Sequence, residues 1–98
     1  MVATLLVTDI VDSTARALEL GDGRWRDLLA RHDLAVRAVL DRFQGREVAT
    51  TGDGFVAVFD GAERAVHAAQ GIGRAASGID LEVRASVHSG ETLGGTNL

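Results

Sequence analysis

Apolar and polar positions follow two different periods along the chain, and the change of period separates strands from helices. Residues 2–7 form a short, almost continuous apolar run rich in β-branched side chains, which is typical of a central strand covered on both faces. Between residues 81 and 87, apolar positions alternate with polar ones, and this predicts a half-buried strand. Residues 25–43 and 62–72 instead carry apolar side chains at three- and four-residue spacings, which predicts two amphipathic helices.

Capping and turn residues set the ends of the first two helices. Ser13 or Thr14 is predicted to cap a short helix, which the turn at residues 21–23 then stops. Gly45 closes the long second helix. The end of the third helix is not fixed by its pattern, because Gly71 and Gly73 lie within its last turns. Its apolar stripe consists of Ala62, Ala65, Val66, Ala69 and Ile72. The pattern predicts no element for the glycine-rich tail from residue 90 onward.

A β-hairpin connects the second and third helices. Residues 46–51 and 55–59 flank the sequence Thr51-Gly52-Asp53-Gly54, which predicts two strands joined by an Asp-Gly tip. The whole order is then βαββαβ, with two helices in the first connection, and it predicts a ferredoxin-like α+β sheet with its helices on one face. In that arrangement Asp9, at the end of the first strand, and Asp53, at the hairpin tip, lie close together.

Composition narrows the classes of function. The 98 residues suffice for one domain, and 46% apolar with 24% charged residues predicts a soluble globular protein. The chain has no cysteine, which excludes disulfides and thiolate metal sites and fits a cytoplasmic location. A net charge of -4 argues against nucleic-acid binding, and no apolar run is long enough to span a membrane.

The two aspartates suggest a cation site beside a phosphate site. Converging carboxylates repel each other, and oxygen ligands suit Mg2+ or Mn2+. The segment from Asp9 to Thr14 leads from a strand into a helix N-terminus, where free N–H groups favour the phosphates of a nucleotide. Two such cations could support an in-line phosphoryl displacement. The alternative stays open at this point, since an Asp-Gly tip can be turn chemistry alone and Asp9 can be a helix cap alone.

Three segments, in this order, resemble the catalytic domain of class III adenylate and guanylate cyclases, especially bacterial ones. They are residues 5–14 (LLVTDIVDST), residues 45–55 (GREVATTGDGF) and residues 87–91 (VHSGE). The resemblance covers nearly the whole chain, which it identifies as a single partial cyclase domain over residues 1–98.

The resemblance implies a function and a set of site residues. Asp9, Asp53 and the carbonyl of Ile10 would hold two Mg2+ or Mn2+ ions. The nucleotide, ATP or GTP, would contact Val11, Asp12, Ser13, Thr14, Ala49 and Gly52. The reaction would be attack of the ribose 3'-hydroxyl on the α-phosphate, giving a cyclic nucleotide for signalling and pyrophosphate. Such domains work as head-to-tail dimers, so a homodimer or a heterodimer with another cyclase domain is expected.

The sequence departs from the cyclase pattern at several positions. Ala49 stands where lysine or glutamate often selects the base, and Asp12 stands where glycine is common. The transition-state asparagine and arginine have no counterpart, because Asn97 lies too close to the last strand and no arginine follows Arg84. No catalytic residue is therefore assigned, and low activity of the chain alone is expected.

Three functional hypotheses remain: a cyclase subunit completed by a fuller partner, a degenerate cyclase fold that binds nucleotide or docks without catalysis, and a gene fragment. The histidines do not change this choice. His32 and His67 are interpreted as packing or surface residues, and His88 as a structural hydrogen-bonding residue.

Overall fold

A computed structural model describes residues 2–91 of the chain. Its elements are β1 (Val2–Ile10), α1 (Ser13–Leu20), α2 (Asp22–Arg42), β2 (Arg46–Thr51), β3 (Gly54–Phe59), α3 (Ala62–Ser77) and β4 (Val83–Glu91). The last strand therefore includes Gly90, whereas Asn97 lies outside the described residues. Within these bounds no helix has both the length and the apolar character needed to cross a bilayer.

The four strands form one antiparallel sheet in the order β2-β3-β1-β4. This order and the placement of the helices confirm the predicted ferredoxin-like α+β fold. Buried residues of β1 and β3 pack with residues of α2 and α3 in the main core. That core contains Leu6, Val36, Val39, Leu40, Phe55, Ala57, Phe59, Ala65, Ala68 and Ile72.

The prediction that the first strand is covered on both faces is wrong. Thr4, Leu6, Thr8 and Ile10 are buried under the helices, but the intervening Val7 is 37% exposed on the opposite side. The strand is central only in the sense that it has a neighbour on each edge. We call the side without helices the open face. The strand registers place on it, among others, Leu5, Val7, Asp9, Ala49, Gly54, Val56 and Arg84.

The start of α1 and the break between α1 and α2 differ from the prediction. Asp12, not Ser13 or Thr14, is the N-cap of α1, and its side chain makes no capping hydrogen bond. The predicted three-residue turn at residues 21–23 is a one-residue break, because Gly21 alone, at φ 84°, reverses the chain before α2 begins.

The third helix continues through both of its glycines. Gly71 is buried, and a Cβ atom there would lie 3.1 Å from Val39 Cγ1, so glycine lets α2 and α3 approach closely. Its buried side is Ala65, Ala68, Gly71, Ile72 and Ala76. Val66, predicted to lie in the apolar stripe, is instead 43% exposed. The buried side of α3 thus consists mostly of small residues that pack in the core, and the larger Val66 lies outside it.

The hairpin has a two-residue turn, Gly52-Asp53, and Gly54 is already the first residue of β3. The sequence predicted Gly54 as part of the turn, but the structure places it in the strand, so the turn does not require it. It is needed because a Cβ atom at this position would overlap the backbone carbonyl oxygen of Thr8 on β1. At the same point the Phe55 N–H donates to Thr8 Oγ1 at 3.1 Å. The two strands are thus in unusually close contact beside the hairpin tip.

We expect Gly54→Ala to lower the free energy of unfolding by about 1–3 kcal/mol, because the added methyl group must push β3 away from β1. Urea unfolding followed by circular dichroism measures the change. Gly52→Ala is the matched control, since a Cβ atom there has nothing within 4 Å. It should change stability by less than about 0.5 kcal/mol. Equal effects of the two substitutions would contradict the close approach.

Candidate functional site

The structure brings the tip of the hairpin against the end of β1. Asp9 lies directly opposite Gly54 in the β1–β3 ladder, so Asp53 is the next residue along. The Ile10 N–H donates to the Asp53 carbonyl oxygen at 3.1 Å. Asp9 is exposed and Asp53 is partly buried. Asp9 near the end of β1 and Asp53 in the hairpin turn therefore lie close together along the backbone, as the order of elements predicts.

Ser13 joins the start of α1 to this pair of strands. Its hydroxyl donates to Asp53 Oδ2 at 2.8 Å. The sequence predicted Ser13 or Thr14 as a helix cap, but the serine hydroxyl bonds a carboxylate that is 40 residues away in the chain. One hydrogen bond thus fixes the hairpin tip, through its acidic side chain, to the first turn of the helix.

The turn from β1 to α1 has a left-handed residue at its centre. Asp12 has φ 55° and ψ 37°, a conformation that glycine adopts freely and that aspartate tolerates better than most residues. The Val11 N–H donates to the Glu82 carbonyl at 2.9 Å and is occupied. The amides of Ser13 and Thr14, at the helix start, have no acceptor within the helix.

Two adjoining grooves meet at the first turn of α1. A groove of about 520 Å³ is lined by Asp9, Ile10, Asp12, Ser13, Thr14, Ala15 and Leu18. A second groove, of about 370 Å³, is lined by Ser13, Thr14, Ala17, Leu18, Asp22, Trp25, Leu29, Gly52 and Asp53. Four aspartates and no basic side chain thus line the grooves in the described part of the chain. A free anion would be repelled here unless cations came with it.

Arg84 is a candidate that the sequence did not single out. It lies directly opposite Asp9 in the β1–β4 ladder, so both side chains leave the sheet on the open face. Alternation in β4 assigned this arginine to the polar side of the strand, but only the register shows that its neighbour is Asp9. It is the basic residue that the sheet places beside the acidic site.

Ala49 lies on the open face, at an irregularity of β2. It pairs with Val56, and the register shifts between Glu47 and Ala49. The pKa of the neighbouring Glu47 is lowered to about 2, because Arg37 and Thr50 donate hydrogen bonds to its carboxylate. Ala49 itself presents only a methyl group.

The three histidines lie apart from one another. His32 is buried, with its Nδ1 2.9 Å from Asp33 Oδ1 and its ring 5.8 Å from that of Phe55. His67 contacts the ring of Phe43, and exposed His88 has its Nε2 3.2 Å from Ser86 Oγ. Among residues 2–91, no group of three or more histidine, cysteine, aspartate or glutamate side chains could hold a metal ion.

No family model matches the sequence, and no curated protein matches it either. Solved structures do match. The chain superposes on the guanylate cyclase domain of RhGC from Catenaria anguillulae in complex with GTP, with a TM-score of 0.82 and 22% identity over 91% of the chain. The adenylyl cyclase CyaB from P. aeruginosa gives 0.82 and 19% over 91%, and a bacterial light-regulated adenylyl cyclase gives 0.84 and 14% over 91%.

The chain has the class III nucleotide cyclase fold. It spans 53% to 56% of the length of these three cyclase chains. In the part of the cyclase fold that the structure describes, the two aspartates, the α1 start and Arg84 all lie at one end of the sheet.

Ser13→Ala should loosen the hairpin tip of this cyclase fold, because Asp53 loses its link to α1. We expect the Ile10 N–H to exchange with solvent about fivefold faster, as the loss of a hydrogen bond of about 1 kcal/mol implies. Hydrogen exchange followed by NMR measures this rate. The Val11 N–H, bonded to Glu82, is the internal control, and Thr14→Ala is the control variant. An unchanged Ile10 rate in Ser13→Ala would show that the Ser13 bond does not hold the tip.

Proposed function

We propose that this chain binds ATP or GTP together with two divalent cations, and that it forms part of a site that makes a cyclic nucleotide and pyrophosphate. The observation that carries the proposal is the position of Asp53. Its backbone is bonded to Ile10 and its carboxylate to Ser13, so one residue connects β1, α1 and the hairpin beside Asp9. The cyclase fold of the chain supports this assignment, because the sequence segments that resemble cyclases led to the expectation of the same fold.

The residues at this end of the sheet fit Mg2+ or Mn2+ in their chemistry. Asp9 and Asp53 offer carboxylate oxygens, and hard cations prefer oxygen ligands. The reciprocal bond from the Asp53 N–H to the Ile10 carbonyl is not formed among the described residues, which leaves that oxygen open to a cation. Magnesium sites commonly use one or two carboxylates and complete their shell with water and substrate phosphates. A small protein donor set is therefore sufficient.

The phosphates are proposed to lie along the first turn of α1. The amides of Ser13 and Thr14 point out of the helix start, where the helix dipole favours negative charge. Arg84 supplies a positive charge from the neighbouring strand. Asp12, also on this turn, opposes the phosphates by like charge. Binding without cations should therefore be weak.

The chemical roles follow from this placement. The two bound cations would supply charge neutralisation and alignment of the ribose 3'-hydroxyl with the α-phosphate. Asp9 and Asp53 hold them, Ser13 orients Asp53, and the α1 amides with Arg84 orient the phosphates. Ala49 offers no hydrogen bond to a purine, so this side chain does not select between ATP and GTP.

The remaining part of the site is proposed to come from another cyclase domain. The resemblance to cyclases implies a head-to-tail dimer, so stabilisation of the transferring phosphoryl group is assigned to the second domain of that dimer. The lack of cysteine and the net charge of -4 fit a cytoplasmic module that acts on a small molecule and not on nucleic acid.

Calorimetry with Mn2+ and ATP or GTP tests the site. We expect nucleotide binding that requires Mn2+, and a loss of at least about tenfold in affinity for Asp9→Asn and Asp53→Asn, because each removes a cation ligand. Arg84→Gln should weaken nucleotide binding and leave Mn2+ binding unchanged. Asp60→Asn is the matched control, since this exposed aspartate lies at the other end of β3. Identical heats for wild type and Asp53→Asn would remove the metal site.

Complementation tests the catalytic part of the proposal. This chain is mixed with a complete cyclase domain whose two metal aspartates are changed to asparagine, and cyclic nucleotide is measured by chromatography. We expect the mixture to be active although each component alone is not, and Asp53→Asn in this chain to abolish the gain. A chain that binds Mn2+ and nucleotide but restores no activity would be the non-catalytic binding module.

A further inference from the structure

The edge strand β2 contains one residue more than its partner requires. Arg46 and Glu47 pair with Val58 and Ala57, but the next partner, Val56, lies opposite Ala49. Val48 is the extra residue, and it is 56% exposed. This is a β-bulge, in which two residues on one strand stand opposite one residue on the other.

The bulge decides which way position 49 faces. In a regular strand, successive side chains alternate between the two faces, so positions 47 and 49 would share a face. Here Glu47 pairs with buried Ala57 on the helix side, whereas Ala49 pairs with Val56 on the open face. Without the extra residue, position 49 would lie under α2, away from Asp9.

A cluster of three polar side chains brackets the bulge. Arg37 Nε and Nη2, on α2, donate to the two carboxylate oxygens of Glu47 at 2.8 and 3.2 Å. The Thr50 hydroxyl donates to the same carboxylate from the other side of the bulge. The Arg37 guanidinium also lies 5.3 Å from the centre of the Phe55 ring, opposite Thr50 in the ladder. The cluster therefore ties both ends of the irregularity to α2.

The bond between Glu47 and Thr50 depends on the bulge. Residues three apart in a regular strand lie on opposite faces of the sheet and cannot meet. With the extra residue, both side chains lie on the helix side, because Glu47 pairs with Ala57 and Thr50 with Phe55. The Glu47–Thr50 bond can therefore form only when the bulge is present, and the bond in turn favours the bulged register.

We propose that Arg37, Glu47 and Thr50 are positioning residues that hold the bulge and thereby keep position 49 on the face that carries Asp9. The inference deepens the proposed function, because position 49 is the one that the cyclase resemblance assigns to the base. The three residues do not touch the nucleotide. They set the face from which any side chain at position 49 can reach it.

Cross-linking tests the facing of position 49 without any nucleotide. The chain has no cysteine, so Ala49→Cys with Val56→Cys gives a single defined pair. Directly opposite residues of an antiparallel ladder have Cα atoms about 4.5–5.5 Å apart, within the range of a disulfide. We expect efficient cross-linking at a fixed glutathione ratio, and a loss of it when Glu47→Gln or Thr50→Val is added. The pair Val48→Cys with Val56→Cys should then cross-link more.

Two controls keep the result specific. Thr50→Val preserves shape and strand preference, so a loss of cross-linking in this variant does not arise from unfolding, which circular dichroism checks. Asp80→Asn breaks the exposed ion pair between Arg16 and Asp80, far from β2, and should leave the 49–56 cross-link unchanged. Undiminished 49–56 cross-linking in both Glu47→Gln and Thr50→Val would overturn the inference.

Base selection gives the functional readout. In an Ala49→Lys chain, the ammonium can donate to N1 of adenine but meets an N–H at the same place in guanine. We expect Mn2+-dependent binding to favour ATP over GTP by about tenfold, and this preference to be lost when Thr50→Val is added but kept with Asp80→Asn. A preference that survives Thr50→Val would contradict the positioning role. Failure of every variant to bind nucleotide would instead count against the proposed function, while the cross-link still decides the facing.

Discussion

The close approach of β1 and β3 beside the hairpin tip is the constraint on which the rest of the structure depends. Gly54 has no room for a side chain because the Thr8 carbonyl occupies it, and the Thr8 hydroxyl accepts the next amide of β3. The same ladder position holds Asp9 opposite Gly54. The packing that holds β1 against β3 therefore also places Asp53, in the hairpin turn, beside the end of β1 that carries Asp9. Stability and the candidate site thus share one set of contacts.

The candidate site that this packing creates is strongly acidic. Asp9, Asp12, Asp22 and Asp53 line the grooves around α1, and the basic residue nearest to them in the sheet is Arg84. Among the described residues, Asp53 is the one of these four aspartates that accepts a hydrogen bond from a side chain, that of Ser13. An arrangement of this kind is costly for the folded chain by itself and becomes favourable when positive charge arrives.

The sequence predicts this fold through short-range signals. Period-two and period-three-to-four spacings are sufficient for the βαββαβ order and for the proximity of Asp9 and Asp53. The predicted helix stop at Gly45 is misplaced, because the second helix ends at Arg42 and the left-handed residue that follows it is Gln44, at φ 61°. The sequence does not predict the features whose contacts are with residues distant in the chain. Ser13 looks like a helix cap until Asp53 is folded against it, and Arg84 looks like an ordinary surface residue until its register with Asp9 is known. The bulge at Val48 is likewise a property of the ladder and of Arg37 on another element.

The last strand has a consequence for how the isolated polypeptide behaves. Because the Val11 N–H bonds to Glu82, alternate residues of β4 direct their amides and carbonyls to β1, and the others direct theirs outward. The outward set is Val83, Ala85, Val87 and Ser89, and no proline interrupts it. Among residues 2–91 no strand pairs with this edge, and amides and carbonyls exposed in this way are a template for strand addition by an extended peptide.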